Sequence, residues 1–177
     1  MADGLATYGG GEAERERRVV DVASHVVAAD GETLVAYGLG ACVAVGVRDT
    51  AHGVGALAHA VLPERSESGA AAGKFADAAV TAMLGDLVEA GGVYDDVEAF
   101  VVGGADIFAL PELPQGVGER TAAVAEETLA GLEVPVVAEA VGGDRGRSVE
   151  FDTETGRVVV STAHGTETTL LEGADDD

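Results

Sequence analysis

Residues 38–64 read GLGACVAVGVRDTAHGVGALAHAVLPE, and the fold is decided in this stretch. From Cys42 to Arg48 the side chains alternate, with Val43, Val45 and Val47 on one face and Cys42, Ala44 and Gly46 on the other, as a strand requires. The segment DTAHG, residues 49–53, reads as a turn; a strand of small residues then runs from Gly55 to Leu62 and stops at Pro63. If the two strands form a hairpin centred near Thr50 or Ala51, residues whose numbers sum to about 101 or 102 lie opposite each other, and Cys42 faces His59 or the position next to it. Directly opposed residues have Cβ atoms about 4.5–5.5 Å apart, within reach of a thiol–imidazole contact. A slip of one residue turns His59 to the other face. The hairpin therefore permits the pair without requiring it.

Working outward, Val19 to Val27 and Leu34 to Leu39 read as strands, and ERSESGAAAG, residues 64–73, as an exposed loop. Phe75 to Ala90 carries Ala76, Ala79, Val80, Met83, Leu87 and Ala90 at helical spacing, with Gly91-Gly92 as its stop. A strand is expected over Glu98 to Val102, a second helix over Gly118 to Ala130, and strands over Pro135 to Ala140, Ser148 to Phe151 and Arg157 to Ser161. Many strands with two helices predict a mixed α+β domain rather than a regular βαβ repeat. One domain over residues 19–163 is expected, between a Gly-rich and charged tail over 1–18 and an acidic tail over 164–177.

At 177 residues and 47% apolar content, the chain can bury a substantial core. It has 32 acidic against 10 basic residues and a formal charge of -22, so nucleic acid and anionic membranes are poor partners. Interspersed acids, a single lysine at Lys74 and abundant Ala, Gly and Val fit a proteome adapted to high salt, where the Debye length is about 3 Å near 1 M and self-repulsion is screened. No apolar run is long enough for a membrane span. With no export signal and a single cysteine, a cytoplasmic location is expected.

The chemistry that Cys42 and His59 offer is nucleophilic. Only a thiolate attacks, and a thiol with a pKa of about 8.5 is mostly protonated at neutral pH. A neighbouring imidazole can take that proton and later protonate a leaving amine. The glycine-rich approach Gly38-Leu39-Gly40-Ala41 lets backbone N–H groups come close to an oxyanion. Yet one Cys and one His are a weak signal, since both residue types also serve packing. Zinc held by Cys42, His52 and His59 is a poorer reading, because His52 sits in the turn at the far end of the hairpin. Glu126, Glu127, Asp77 and Asp86 read as solvated charges on helices, His25 and His164 as surface residues, and Arg145 and Arg147 as turn residues beside acidic neighbours. The segment from Gly142 to Arg147 lacks the order of a phosphate loop.

The ordered motifs resemble those of the chemoreceptor glutamine deamidase family, CheD. They are Gly38 and Gly40, Cys42, Val43 to Val47, Asp49, Gly55, His59, Leu62 and Pro63. Further on come Gly103-Gly104-Ala105, Val117 to Arg120, Gly142-Gly143 with Gly146-Arg147, and Phe151 to Gly156. The resemblance runs from about residue 19 to residue 160. It implies a layered α/β/β sandwich like that of cytotoxic necrotizing factor toxins. It also implies hydrolysis of protein glutamine to glutamate on the cytoplasmic helices of chemotaxis receptors, with Cys42 as nucleophile, His59 as base and then acid, a thioester intermediate, and no metal or organic cofactor. A CheC-type phosphatase is the further partner it implies. The family's Thr, six residues before the nucleophile, is Ala36 here, and the Ser commonly found just before the nucleophile is Ala41. The nearest hydroxyls, Thr33 and Tyr37, lie an odd number of residues from Ala36 and point to the opposite face of a regular strand. A backbone carbonyl or water is then left to orient His59, and a non-catalytic adaptor that regulates the phosphatase is the rival reading.

Overall fold

A computed structural model describes residues 16–66, 69–106 and 116–174. The ten strands are β1 (Arg17–Val19), β2 (His25–Ala28), β3 (Thr33–Leu39), β4 (Val43–Asp49), β5 (Val54–Ala60), β6 (Glu98–Gly103), β7 (Val136–Val141), β8 (Arg147–Asp152), β9 (Val158–Thr162) and β10 (Glu167–Leu171). They form two five-stranded sheets, a central one in the order β2-β5-β4-β6-β7 and an outer one in the order β1-β3-β8-β9-β10. Both are mixed, since β6 and β7 pair in parallel, as do β1 and β3, among otherwise antiparallel neighbours. The helices α1 (Ala76–Glu89) and α2 (Val117–Gly131) cover the far face of the central sheet, which gives the layered α/β/β sandwich. Among the described residues no helix is long and apolar enough to cross a membrane.

The central sheet has no solvent face at its middle. Every residue of β4 and β5 is buried. Val43, Val45 and Val47 pack with Ala56, Ala58 and Ala60 against Ala79, Val80, Met83 and Leu87 of α1. Ala44, Leu57, Phe100 and Val102 face the other way and meet Leu34, Ala36, Leu39, Val149 and Phe151 of the outer sheet. The hairpin's alternation thus separates a helix-facing valine row from a sheet-facing row of small residues. Small residues are needed there because two phenylalanine rings fill the gap edge to face, with centroids 5.1 Å apart. Phe100 lies over Gly46, where a Cβ would sit 2.0 Å from the ring, and Phe151 lies over Gly55.

The structure departs from the sequence reading near both ends of the described chain. The single strand expected over Val19 to Val27 is broken at residues 20–24, so that β1 joins the outer sheet and β2 the central one. The break uses a left-handed Ala23, at φ 64°, with no glycine to announce it. Ala23 N–H donates to the His59 carbonyl and His59 N–H to that of Ser24, which holds the crossing segment on β5. The end expected to fray from His164 instead contains β10, paired antiparallel with β9, with Leu170 and Leu171 packed on the core between the sheets. Its outward positions are polar, which hid it. Of the N-terminal tail expected over 1–18, residues 1–15 lie outside the described residues and Arg17 and Arg18 belong to β1.

Gly46→Ala should lower the unfolding free energy by about 1–3 kcal/mol through overpacking against Phe100. Gly85→Ala, on the exposed side of α1 where a Cβ meets nothing, should raise it by up to about 1 kcal/mol. Urea midpoints measured in high salt would show the two changes moving in opposite directions.

Candidate active site

The hairpin pairs one step beyond the centring that sums to 102 and two steps beyond the one that sums to 101 and sets Cys42 opposite His59. Val43 is opposite Ala60, Ala44 opposite His59 and Asp49 opposite Val54, so opposed numbers sum to 103 rather than 101 or 102. The turn takes four residues because the Asp49 carboxylate accepts from His52 N–H and Gly53 closes the loop at φ +64°. Cys42 therefore does not face His59. The slip from 101 is two residues, however, which preserves the face. Cys42 lies on Ala44's side, with the core between the sheets, and His59, paired with Ala44, is its diagonal neighbour. Long side chains reach across such diagonals.

His59 is 2% exposed, and among the described residues neither ring nitrogen has a hydrogen-bond partner, the thiol included. Burial lowers its pKa, against the smaller opposing pulls of the Val20 carbonyl and the Asp21 carboxylate. That carbonyl is fixed by its own residue's N–H, which donates to Val35 at 2.8 Å. It lies toward the ring without reaching hydrogen-bond geometry. Ala36, fully buried on β3, belongs to the same core layer between the sheets and has no hydroxyl to offer. Cys42 is half-buried, and burial raises its thiol pKa. Burial disfavours both charged forms, so the resting site holds a neutral thiol and a neutral imidazole.

Backbone contacts hold Cys42 from below. Gly104 N–H donates to the Cys42 carbonyl at 3.0 Å and Ala105 N–H to that of Gly40 at 2.8 Å. Gly103, at φ +113°, lies so close that a Cβ there would be 2.4 Å from the Cys42 oxygen. Gly104 in turn packs on the backbone of Gly118 in the first turn of α2. Gly40 N–H is taken by the Gly38 carbonyl at 3.0 Å.

Other sequence candidates fall elsewhere. His52 stays at the turn, where its Nδ1 lies 2.7 Å from Asp49, whose carboxylate also accepts from Val93 N–H. The structure thus does not bring His52 to Cys42 and His59. His25 lies near the surface as expected, and it has a partner there, its Nε2 lying 2.8 Å from Asp86. Asp77 accepts from Arg65 N–H and Ala78 N–H. Glu126 is not a freely solvated charge either, because burial and the facing Glu139 push its carboxyl up to about 7. Arg147 contacts no acidic neighbour among the described residues; it reaches the Gly142 carbonyl at 2.8 Å. The contribution of the Val20 carbonyl at His59, and the contacts of Arg147 with the Gly142 and Gly103 carbonyls, were not expected from the sequence. The run Gly146-Arg147 was a signal for one of them; nothing marked Val20.

Fold and site together define a class: single-domain α/β/β sandwiches with a thiol and a buried imidazole side by side at one end of the central hairpin, on a glycine floor. A family model described as CheD chemotactic sensory transduction matches residues 61–162. The chain is 34% identical over 169 residues, 95% of its length and 98% of the relative's, to a probable chemoreceptor glutamine deamidase CheD of Haloarcula marismortui. It is 34% identical to the chemoreceptor glutamine deamidase CheD of Thermotoga maritima, over 85% of this chain and 95% of that one. It is 41% identical to a probable chemoreceptor glutamine deamidase CheD 2 of Geobacter metallireducens, over 80% and 90%. The chain belongs to the CheD family. A crystal structure of the Bacillus licheniformis hypothetical protein YfiH is 12% identical with a TM-score of 0.42, covering 68% of this chain and 49% of that one.

The raised thiol pKa has a direct readout. The rate at which iodoacetamide alkylates Cys42 in the isolated protein should rise with pH to a midpoint above the ordinary cysteine value of about 8.5. A midpoint below that value would mean that the thiolate is already stabilised at rest.

Proposed function

We propose that this protein is a cysteine-dependent protein-glutamine deamidase acting on the cytoplasmic region of chemotaxis receptors. The observation that carries the reading is the placement of the chain's single thiol and its buried imidazole as diagonal neighbours on one face of the hairpin. The names of the curated relatives supply the substrate class.

In this mechanism the Cys42 Sγ bonds to the amide carbon of a glutamine side chain while its proton passes to His59. The carbonyl electron pair moves onto oxygen, where N–H groups of the Ala41–Cys42 turn receive it. The tetrahedral intermediate collapses with cleavage of the C–N bond, and His59 gives its proton to the departing ammonia. Water then attacks the thioester as His59 takes its proton, the C–S bond breaks, and His59 returns the proton to the departing sulfur, which leaves glutamate, the free thiol and a neutral imidazole. A neutral resting pair suits these steps, because the proton needs to move only when the substrate carbonyl arrives. The Val20 carbonyl, which lies toward the ring without bonding it at rest, takes over the orienting role of the family's Thr only when it closes to hydrogen-bonding distance as substrate binds. A third group mainly sets tautomer and direction, so Ala36 lowers the rate without removing the mechanism. The sandwich from β1 to β10, residues 17–171, carries this activity without metal or organic cofactor, in a cytoplasm whose high salt screens the acidic surface, and a CheC-type phosphatase competes for the site.

An adaptor that binds the phosphatase without catalysis is the second reading, favoured by Ala36 and the unpartnered ring. The mass of a receptor cytoplasmic fragment, incubated in high salt, discriminates. The native protein should convert amide to acid, with a gain of about one mass unit per site, and Cys42→Ala and His59→Ala should leave the mass unchanged. Ala36→Thr should deamidate several-fold faster. No conversion by the native protein would favour the adaptor.

A further inference from the structure

Arginines in this acidic chain find carboxylates readily. Arg17, Arg18, Arg48 and Arg120 each meet a glutamate. Arg147 instead, half-buried at the first position of β8, directs Nη1 to the Gly142 carbonyl at 2.8 Å and, more distantly, to that of Gly103 at 3.5 Å. Those carbonyls belong to the other sheet, at the ends of β6 and β7. Gly142 N–H also donates to the Gly103 carbonyl at 3.0 Å, so both strand ends and the guanidinium meet at one oxygen. The next residues, Gly104 and Ala105, are the donors that grip Cys42 and Gly40. Leu39, paired with Arg147 across the outer sheet, leads directly into the same Gly40–Cys42 turn. Arg147 thus borders the thiol's backbone from both sheets.

We propose that Arg147 is a positioning residue for Cys42: it staples the outer sheet to the ends of β6 and β7 and so fixes the Gly103–Ala105 turn that carries the Cys42 backbone. The proposal rests on Cys42 being the nucleophile. Cohesion of the sandwich does not need this contact, because the Phe100–Phe151 pair and its apolar surroundings already join the sheets. What the staple adds is local, at the end where the thiol sits. Both contacts leave one nitrogen, Nη1; the planar guanidinium holds the two N–H bonds of that nitrogen in a fixed plane, whereas an ammonium at the end of a flexible stem has no such fixed plane. Displacements of about 1 Å in a reacting group can cost up to about a hundredfold in rate.

The test compares the native protein, Arg147→Gln, Arg147→Lys and Cys42→Ser in deamidation of a receptor cytoplasmic fragment, with folded fractions fixed by urea titration in the assay salt. Arg147→Gln should lose roughly tenfold or more in kcat with KM within about twofold of native, and Arg147→Lys should fall between. An unchanged kcat in Arg147→Gln, a loss that only tracks the folded fraction, or a loss confined to KM would overturn the positioning role. Continued deamidation by Cys42→Ser would overturn instead the reading of Cys42 as nucleophile, whatever Arg147 does.

Discussion

The structure depends on one constraint: the β4–β5 hairpin is buried on both faces. A strand covered by helices on one side and a second sheet on the other must be apolar along its whole length, and its side chains must fit two different neighbours. The valine row meets the helices, and the row of Ala44, Gly46, Gly55 and Leu57 leaves room for two phenylalanine rings. The hairpin also buries Arg48 and Asp49, but both are hydrogen-bonded; His59 is a polar ring inside a double-sided core with no hydrogen bond among the described residues. An unmet hydrogen-bonding capacity in such a place costs about 1–3 kcal/mol, and sites that carry such a cost are where function is to be sought.

The same burial sets the electrostatics. It raises the thiol and lowers the imidazole, against smaller opposing pulls on the ring from the Val20 carbonyl and the Asp21 carboxylate. Ala36 belongs to the core layer where a hydroxyl would have offered another partner. The site thus holds, on one face, two groups whose charged forms burial disfavours.

Much of this was legible in the sequence because the period-2 pattern of β4 and the helical spacing of α1 are strong local signals. The helix from Ala76 to Glu89 lies within the expected span. Face assignment survived an error in register because the turn added two positions and not one. Long-range contacts were not legible. The strand break at Ala23 has no glycine, β10 is recognisable only by its pairing, and the bonds from Arg147 to the other sheet join residues on strands that no local pattern relates. The pairing of His25 with Asp86 likewise spans 61 residues.

The most direct measurement is the intact mass of an acid-quenched mixture of the protein with a glutamine-bearing receptor fragment. The expected species has the sum of the two masses less one ammonia, is cleaved by hydroxylamine, and is missing with Cys42→Ser. Deamidated fragment accumulating at the native rate with no such adduct, or with Cys42→Ser, would contradict a thioester route through Cys42.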